Sequence, residues 1–206
     1  MRGDHEATAA SSEAARAIAV EYEMPLWQGW ASVFAGWAAS VGGAVDEGIA
    51  TIREGLRLAR ATDAITFLPH CLSLSAEADA RVGRLDSALA TIEEALALCE
   101  RNDERYVEPE LHRQRGAYLL ALGGPDAAAG EAALQRALAL ARHQGARMLE
   151  LRTATSLGTR WRDQGRTTEA RALLAPLYDS LTEGLDTDDP RRAAELLSTL
   201  GGAKGR

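Results

Sequence analysis

The chain of 206 residues repeats itself about every forty. Glycines stand at Gly43, Gly83, Gly123 and Gly165, and seven residues before each lies a small residue: Gly36, Ala76, Gly116 and Gly158. A second small position follows at Gly48, Ala88, Gly130 and Ala170. Four residues beyond it comes a large apolar one, Ile52, Ile92, Leu134 and Leu174. An internal period of about 20–50 residues marks a solenoid, in which each unit buries its apolar face against the next.

Composition says what the units are made of. The chain holds 41 alanines and 28 leucines, and only 5% of it is aromatic. Alanine and leucine are strong helix formers, while the β-branched and aromatic residues that build strands are scarce. The predicted fold is all-α: an α-α superhelix of about four antiparallel helix pairs, closed by a C-terminal capping helix.

Each row of forty reads as helix, glycine turn, helix. In the second row Thr66 to Val82 is helical in composition, and Asp86 to Arg101 resumes after Gly83-Arg84. Leu85, Leu89, Ile92, Leu96 and Cys99, spaced 4, 3, 4 and 3, follow one helical face. The glycine suits the left-handed residue that ends a helix. Asp46, Asp86, Asp126 and Thr168, three residues after each glycine, are types that accept bonds from the free N–H groups of a helix start. In the third row the second small position arrives two residues late, which predicts a turn lengthened by two. Asp189-Pro190 predicts the N-cap and first residue of a closing helix over Pro190–Leu200. The expected layout is a partial repeat helix with a frayed start over 1–23, the array over 24–200, and a tail over 201–206. Half a unit at one end reads as a piece of something longer.

Charge and residue chemistry exclude several functions. A formal net charge of −7 offers no basic footprint for direct nucleic-acid binding. The first 23 residues lack the apolar core of a signal peptide. Met24 to Val45 carries no formal charge, yet its glutamine, two serines and four glycines suit a buried helix better than a membrane span. No membrane contact and a cytoplasmic location are therefore expected. His5, His70, His112 and His143 are scattered, so no metal site is predicted. Asp186, Asp188 and Asp189 lack the glycine and distant glutamate of a calcium loop. Cys71 and Cys99 flank the Gly83 turn at similar distances; buried thiols are expected, with a redox pair as the alternative. No nucleophile–base constellation assembles, and the chain is expected to be no enzyme and to need no cofactor.

The order small, small twelve later, large apolar, small (Ala76, Ala88, Ile92, Ala95) resembles the tetratricopeptide (TPR) pattern with longer helices. The runs Glu110-Leu111-His112-Arg113, Gln135 to Arg142, and Leu149 to Leu157 narrow the likeness. So does the closing stretch from Gly165-Arg166 through Tyr178 to Thr187. Together they resemble the C-terminal TPR region of bacterial signalling ATPases, including class III adenylate cyclase–ATPases and MalT-like transcriptional regulators. That resemblance implies a non-catalytic interaction and regulatory domain. Its partner would be a protein or peptide, including the NTPase or cyclase domain of the same system. The phosphate-cradling GxxxxGK[ST] loop is absent from this sequence. The alternative is a fragment of a multidomain adenylate or guanylate cyclase or ATPase whose catalytic domains lie outside the chain.

One stripe stands out. Trp27, Trp30, Phe34 and Trp37 are spaced 3, 4 and 3 on one helix. In the TPR register Trp30 and Trp37 fall on the concave face. The same register continues through His70, Ser73, Glu77 and Arg81, then Glu110 and Arg113, then Arg152, Thr155, Thr159 and Arg162. Aromatic and arginine side chains anchor interfaces, so these twelve are the candidate partner-binding residues. The competing reading packs the tryptophans against a preceding repeat. Either way, exposed apolar surface there predicts a partner or self-association.

Overall fold

The computed structural model describes residues 4–201, which form ten helices and no strand. They are α1 (His5–Glu21), α2 (Pro25–Val41), α3 (Val45–Arg60), α4 (Leu68–Arg81) and α5 (Leu85–Asn102), followed by α6 (Glu108–Leu122), α7 (Asp126–His143), α8 (Arg147–Asp163), α9 (Thr167–Asp179) and α10 (Asp188–Gly201). The chain divides into two compact units, with the division inside α6 between Gln114 and Arg115. The pairs α2/α3 and α4/α5 belong to the first unit, and α8/α9 with the cap α10 to the second.

The glycine ruler marks the turns. Gly83 has φ +76°, and the following Arg84 N–H reaches back to the Asp79 carbonyl at 3.0 Å, satisfying an end carbonyl of α4. The same back-reaching bond joins Ala44 to Ala39 and Arg166 to Trp161. The expected caps are corrected. Asp46, Asp86, Asp126 and Thr168 lie inside the first turns, and the N-cap residues Ala44, Arg84, Pro125 and Arg166 make no side-chain cap bond. Three-residue turns start each helix sooner than the sequence implies. The aspartates then act through their charge, which favours the positive end of the helix dipole.

The small positions bring backbones into contact. A Cβ built on Gly36 would lie 2.5 Å from the Gly48 carbonyl oxygen, and one on Gly29 would lie 2.7 Å from that of Gly55. α2 and α3 therefore touch through two glycine pairs with no side chain between them. Ala76 and Ala88 hold the same places in α4 and α5 and are fully buried. In the second unit Gly116 faces Gly130, whereas a Cβ built on Gly158 would lie 3.2 Å from Leu196 Cδ2 of α10. Ile52, Ile92, Leu134 and Leu174 are all buried, each in its own unit.

The expected long turn in the third row does not occur. Residues 42–44, 82–84, 123–125 and 164–166 are turns of equal length. The two extra residues of the third row enter the helices instead. α6 runs one residue further past its small position than α4 does, and α7 starts one residue earlier before its own.

Both ends of the described residues are helical. α1 is a regular helix whose start is capped by Asp4, with Oδ1 accepting the Ala7 N–H at 2.9 Å. Of the expected tail over 201–206, Gly201 is the last residue of α10; the rest of that tail and residues 1–3 of the expected frayed start lie outside the described residues. α10 begins at Asp188, so Asp189 is not its N-cap; instead its carboxylate is held by Arg152 at 2.6 and 3.0 Å. Ala193, Leu196 and Leu200 of α10 complete a core with Leu151, Leu157 and Leu174, as a capping helix should. No helix among the described residues is long and apolar enough to cross a membrane.

Candidate protein-interaction site

In the first unit antiparallel pairing puts the connectors 22–24, 61–67 and 103–107 on one edge, and the glycine turns 42–44 and 82–84 on the other. The first edge carries a continuous cluster of rings. Trp27 meets Trp30 edge-on with centroids 5.0 Å apart, and Trp30 meets Phe67 at 5.2 Å. Phe67 is the hub. It also contacts Phe34 at 6.0 Å, His70 at 5.0 Å and Tyr106 at 6.4 Å, the last a stacked pair. The cluster is not a closed core: Trp27 is 55% exposed and Tyr106 48%.

The hub is held by an unusual backbone. Phe67 precedes α4 with φ +67°, a left-handed conformation that a bulky residue adopts at a cost of about 1–3 kcal/mol. Its N–H donates to both carboxylate oxygens of Glu104, at 2.9 and 3.1 Å. A charge-assisted bond of this kind offsets part of the strain. Burial, and then the Glu104 carboxylate, pushes the Tyr106 phenol well above its usual range. Burial also raises the thiol of Cys71 to about 12 and that of Cys99 to about 11, with Glu104 adding to both. Both cysteines are free and buried, and at neutral pH they stay protonated. That chemistry suits packing and gives no support to a redox pair.

The candidate residues of the first unit separate by burial. Trp30 and His70 are half-buried members of the ring cluster. Trp37 is only 5% exposed, and its indole N–H donates to Glu77 at 3.1 Å. It fills the space between α2 and α4 rather than offering a contact surface. Ser73 is buried too; its hydroxyl donates to the His70 carbonyl and its own carbonyl accepts from Gln114 Nε2 at 3.1 Å. Glu77 also accepts from Arg81, and Glu110 and Arg113 form a two-pronged ion pair at 2.7 and 3.0 Å.

In the second unit Arg152 is committed to Asp189. Thr155 and Thr159 turn their hydroxyls back onto the carbonyls of Leu151 and Thr155, and Arg162 pairs with Asp163. A second tryptophan–carboxylate contact occurs here. Trp161 Nε1 donates to Glu131 at 2.8 Å, and the same oxygen accepts from Arg166, whose guanidinium lies 4.5 Å over the Trp161 ring. Burial works to raise the Glu131 carboxyl, but the bonds from Trp161, Arg166 and Gln164 outweigh it and hold the group below its usual range. No group of metal-ligating side chains occurs among the described residues.

Phe67, Glu104 and Tyr106 were absent from the sequence-derived set. One signal did point towards them: Pro69 and Pro109 are forty apart and sit in the first turns of α4 and α6. The residues just before them are thus fixed as connectors, and two of those are aromatic.

No family model matches the chain. It is 31% identical over 140 residues to an uncharacterized protein of Rhizobium meliloti (strain 1021). That alignment covers 68% of this chain but only 14% of the relative. Among solved structures it is similar to BtubC (BKLC) from P. vanneervenii, with 16% identity and a TM-score of 0.66 over 98% of this chain and 94% of that one. It is also similar to a kinesin light chain TPR-like repeat structure from Podospora anserina, with 15% identity and a TM-score of 0.60 over 85% of each chain. The fold is that of a TPR-like helical repeat protein.

Proposed function

We propose that the chain is a non-catalytic interaction and regulatory module of a bacterial signal-transduction or transcription-regulating ATPase system, working in the cytoplasm. The observation that carries a binding role is the open ring cluster on the connector edge of the first unit. Two large aromatic side chains stand about half exposed there, on a hub whose strained backbone is fixed by a carboxylate. Strain of this sort gathers at recognition sites. Large exposed rings are the residues on which interface energy concentrates. The link to a signalling ATPase rests on the sequence resemblance of the C-terminal half.

The test is binding to the NTPase or nucleotide-cyclase domain encoded with the chain, by calorimetry, with nucleotide turnover followed in parallel. A complex that alters the partner's turnover is expected, with none from this chain alone. ATP hydrolysis or cyclisation by the 206 residues would overturn the reading. One observation favours the second reading, a regulatory part of a multidomain cyclase or ATPase: the chain spans 14% of the length of the relative it matches. Catalytic motifs upstream in the same reading frame would establish it.

A further inference from the structure

The two edges of the first unit differ in both charge and apolar exposure. The connectors 22–24, 61–67 and 103–107 hold four carboxylates, on Glu23, Asp63, Asp103 and Glu104. Their one cation, Arg105, is engaged by Asp103 at 3.0 Å and by Glu108 at 3.6 Å. On the opposite edge the turns 42–44 and 82–84 carry a single charge, that of Arg84. Exposed apolar side chains follow the same division. Tyr22, Met24, Trp27, Ile65 and Tyr106 are exposed on or beside the connectors, against Val82 alone on the turns.

Acidic groups beside open aromatic faces define a partner chemistry. Indole and phenol rings attract guanidinium and ammonium groups through their negative faces. Neighbouring carboxylates add charge-assisted bonds and long-range attraction, while acidic or neutral segments gain neither. We infer that the connector edge of residues 4–114 docks a basic peptide segment, one that alternates arginine or lysine with apolar residues, with Trp27 and Tyr106 as its anchors. The inference rests on the proposed interaction role and names the occupant of that surface. Trp27 and Tyr106 supply ring faces, the four carboxylates supply selection against acidic sequences, and Glu104 holds Phe67 against Tyr106 and against Trp30, on which Trp27 rests.

The test uses the full chain and a short peptide alternating arginine and leucine, with a glutamate–leucine peptide as its counterpart. Binding is read by tryptophan fluorescence and calorimetry at low and high salt. The expected result is binding of the basic peptide alone, weakened several-fold by salt. Trp27→Ala and Tyr106→Ala, which change no charge, should each weaken it about ten-fold, a loss of about 1.4 kcal/mol. Asp63→Lys should weaken it as well, and Glu47→Lys, next to the other edge, should not. Equal binding of the acidic peptide would overturn the inference. So would affinity indifferent to Trp27 and Tyr106, which would reduce the effect to the negative charge of the whole chain. Should a signalling-domain partner bind with undiminished affinity to Trp27→Ala and Tyr106→Ala, the interaction role would stand and this assignment of the surface would fall.

Discussion

Gly36 has no room for a methyl group. The Gly48 carbonyl oxygen lies 2.5 Å from where its Cβ would be, and that atom belongs to backbone that cannot rotate aside. Gly43, seven residues later, has open space around it and φ +105°. The two glycines are therefore required for different reasons, one steric and one conformational. Gly36→Ala must push α2 and α3 apart, and should destabilise by about 2–3 kcal/mol, in the range of overpacked cores. Gly43→Ala meets only the left-handed backbone penalty and should cost about 1 kcal/mol. Urea denaturation of the two variants separates these costs, and equal losses would contradict the backbone contact. Residue scale also explains Trp30 and Trp37. They share one stripe with a spacing of seven, yet Trp37 is buried by a bond to a glutamate forty residues away while Trp30 remains within the open cluster.

At the scale of elements, the start of α4 depends on the connector before α6. Phe67 stays left-handed because the Glu104 carboxylate holds its N–H. Glu104→Ala should release that donor, destabilise by about 1–2 kcal/mol and speed amide exchange at Phe67 and the first turn of α4. Exchange unchanged at Phe67 would place the restraint elsewhere. Helix pairs, glycine turns, small contacts and buried large residues were all legible in the sequence, because a period of forty repeats the same physical demand four times. The hub was not. A left-handed phenylalanine has no sequence signature, and its partner Glu104 lies 37 residues away, where the forty-residue register offers only Ala64 as its counterpart. The cap positions were misplaced for a related reason: residue type points to a helix start, but only the turn length decides which residue is its cap.

At the scale of the whole molecule, each unit carries its own electrostatic tie. In the second unit the tie is Glu131, which gathers Trp161, Gln164 and Arg166 from α8 and the turn before α9. Its folded-state pKa is depressed, so its contribution is present above the ordinary carboxyl range near 4.5 and is lost as pH falls through the lower folded value. Thermal unfolding should show Glu131→Gln less stable than the parent at neutral pH, with the gap narrowing below about pH 4. A gap constant with pH would mean the carboxylate charge is not what stabilises. The exposed carboxyls of Glu54 and Glu169 are also held low, by Arg57 and Arg166, and titrate in the same direction.

The third repeat shows how such a chain changes length. Its two additional residues leave the turn at 123–125 no longer than its counterparts, because α6 reaches one residue further past its small position and α7 starts one residue earlier before its own. The strands of a ladder grow this way, one rung-width on each rail. In an antiparallel pair a residue added to one helix needs a companion on the other, or the turn must shift. Insertions and deletions around these turns should thus survive in even numbers across relatives, and odd ones should be rare. The spacing between small positions, 12 in three repeats and 14 in the other, already obeys that parity.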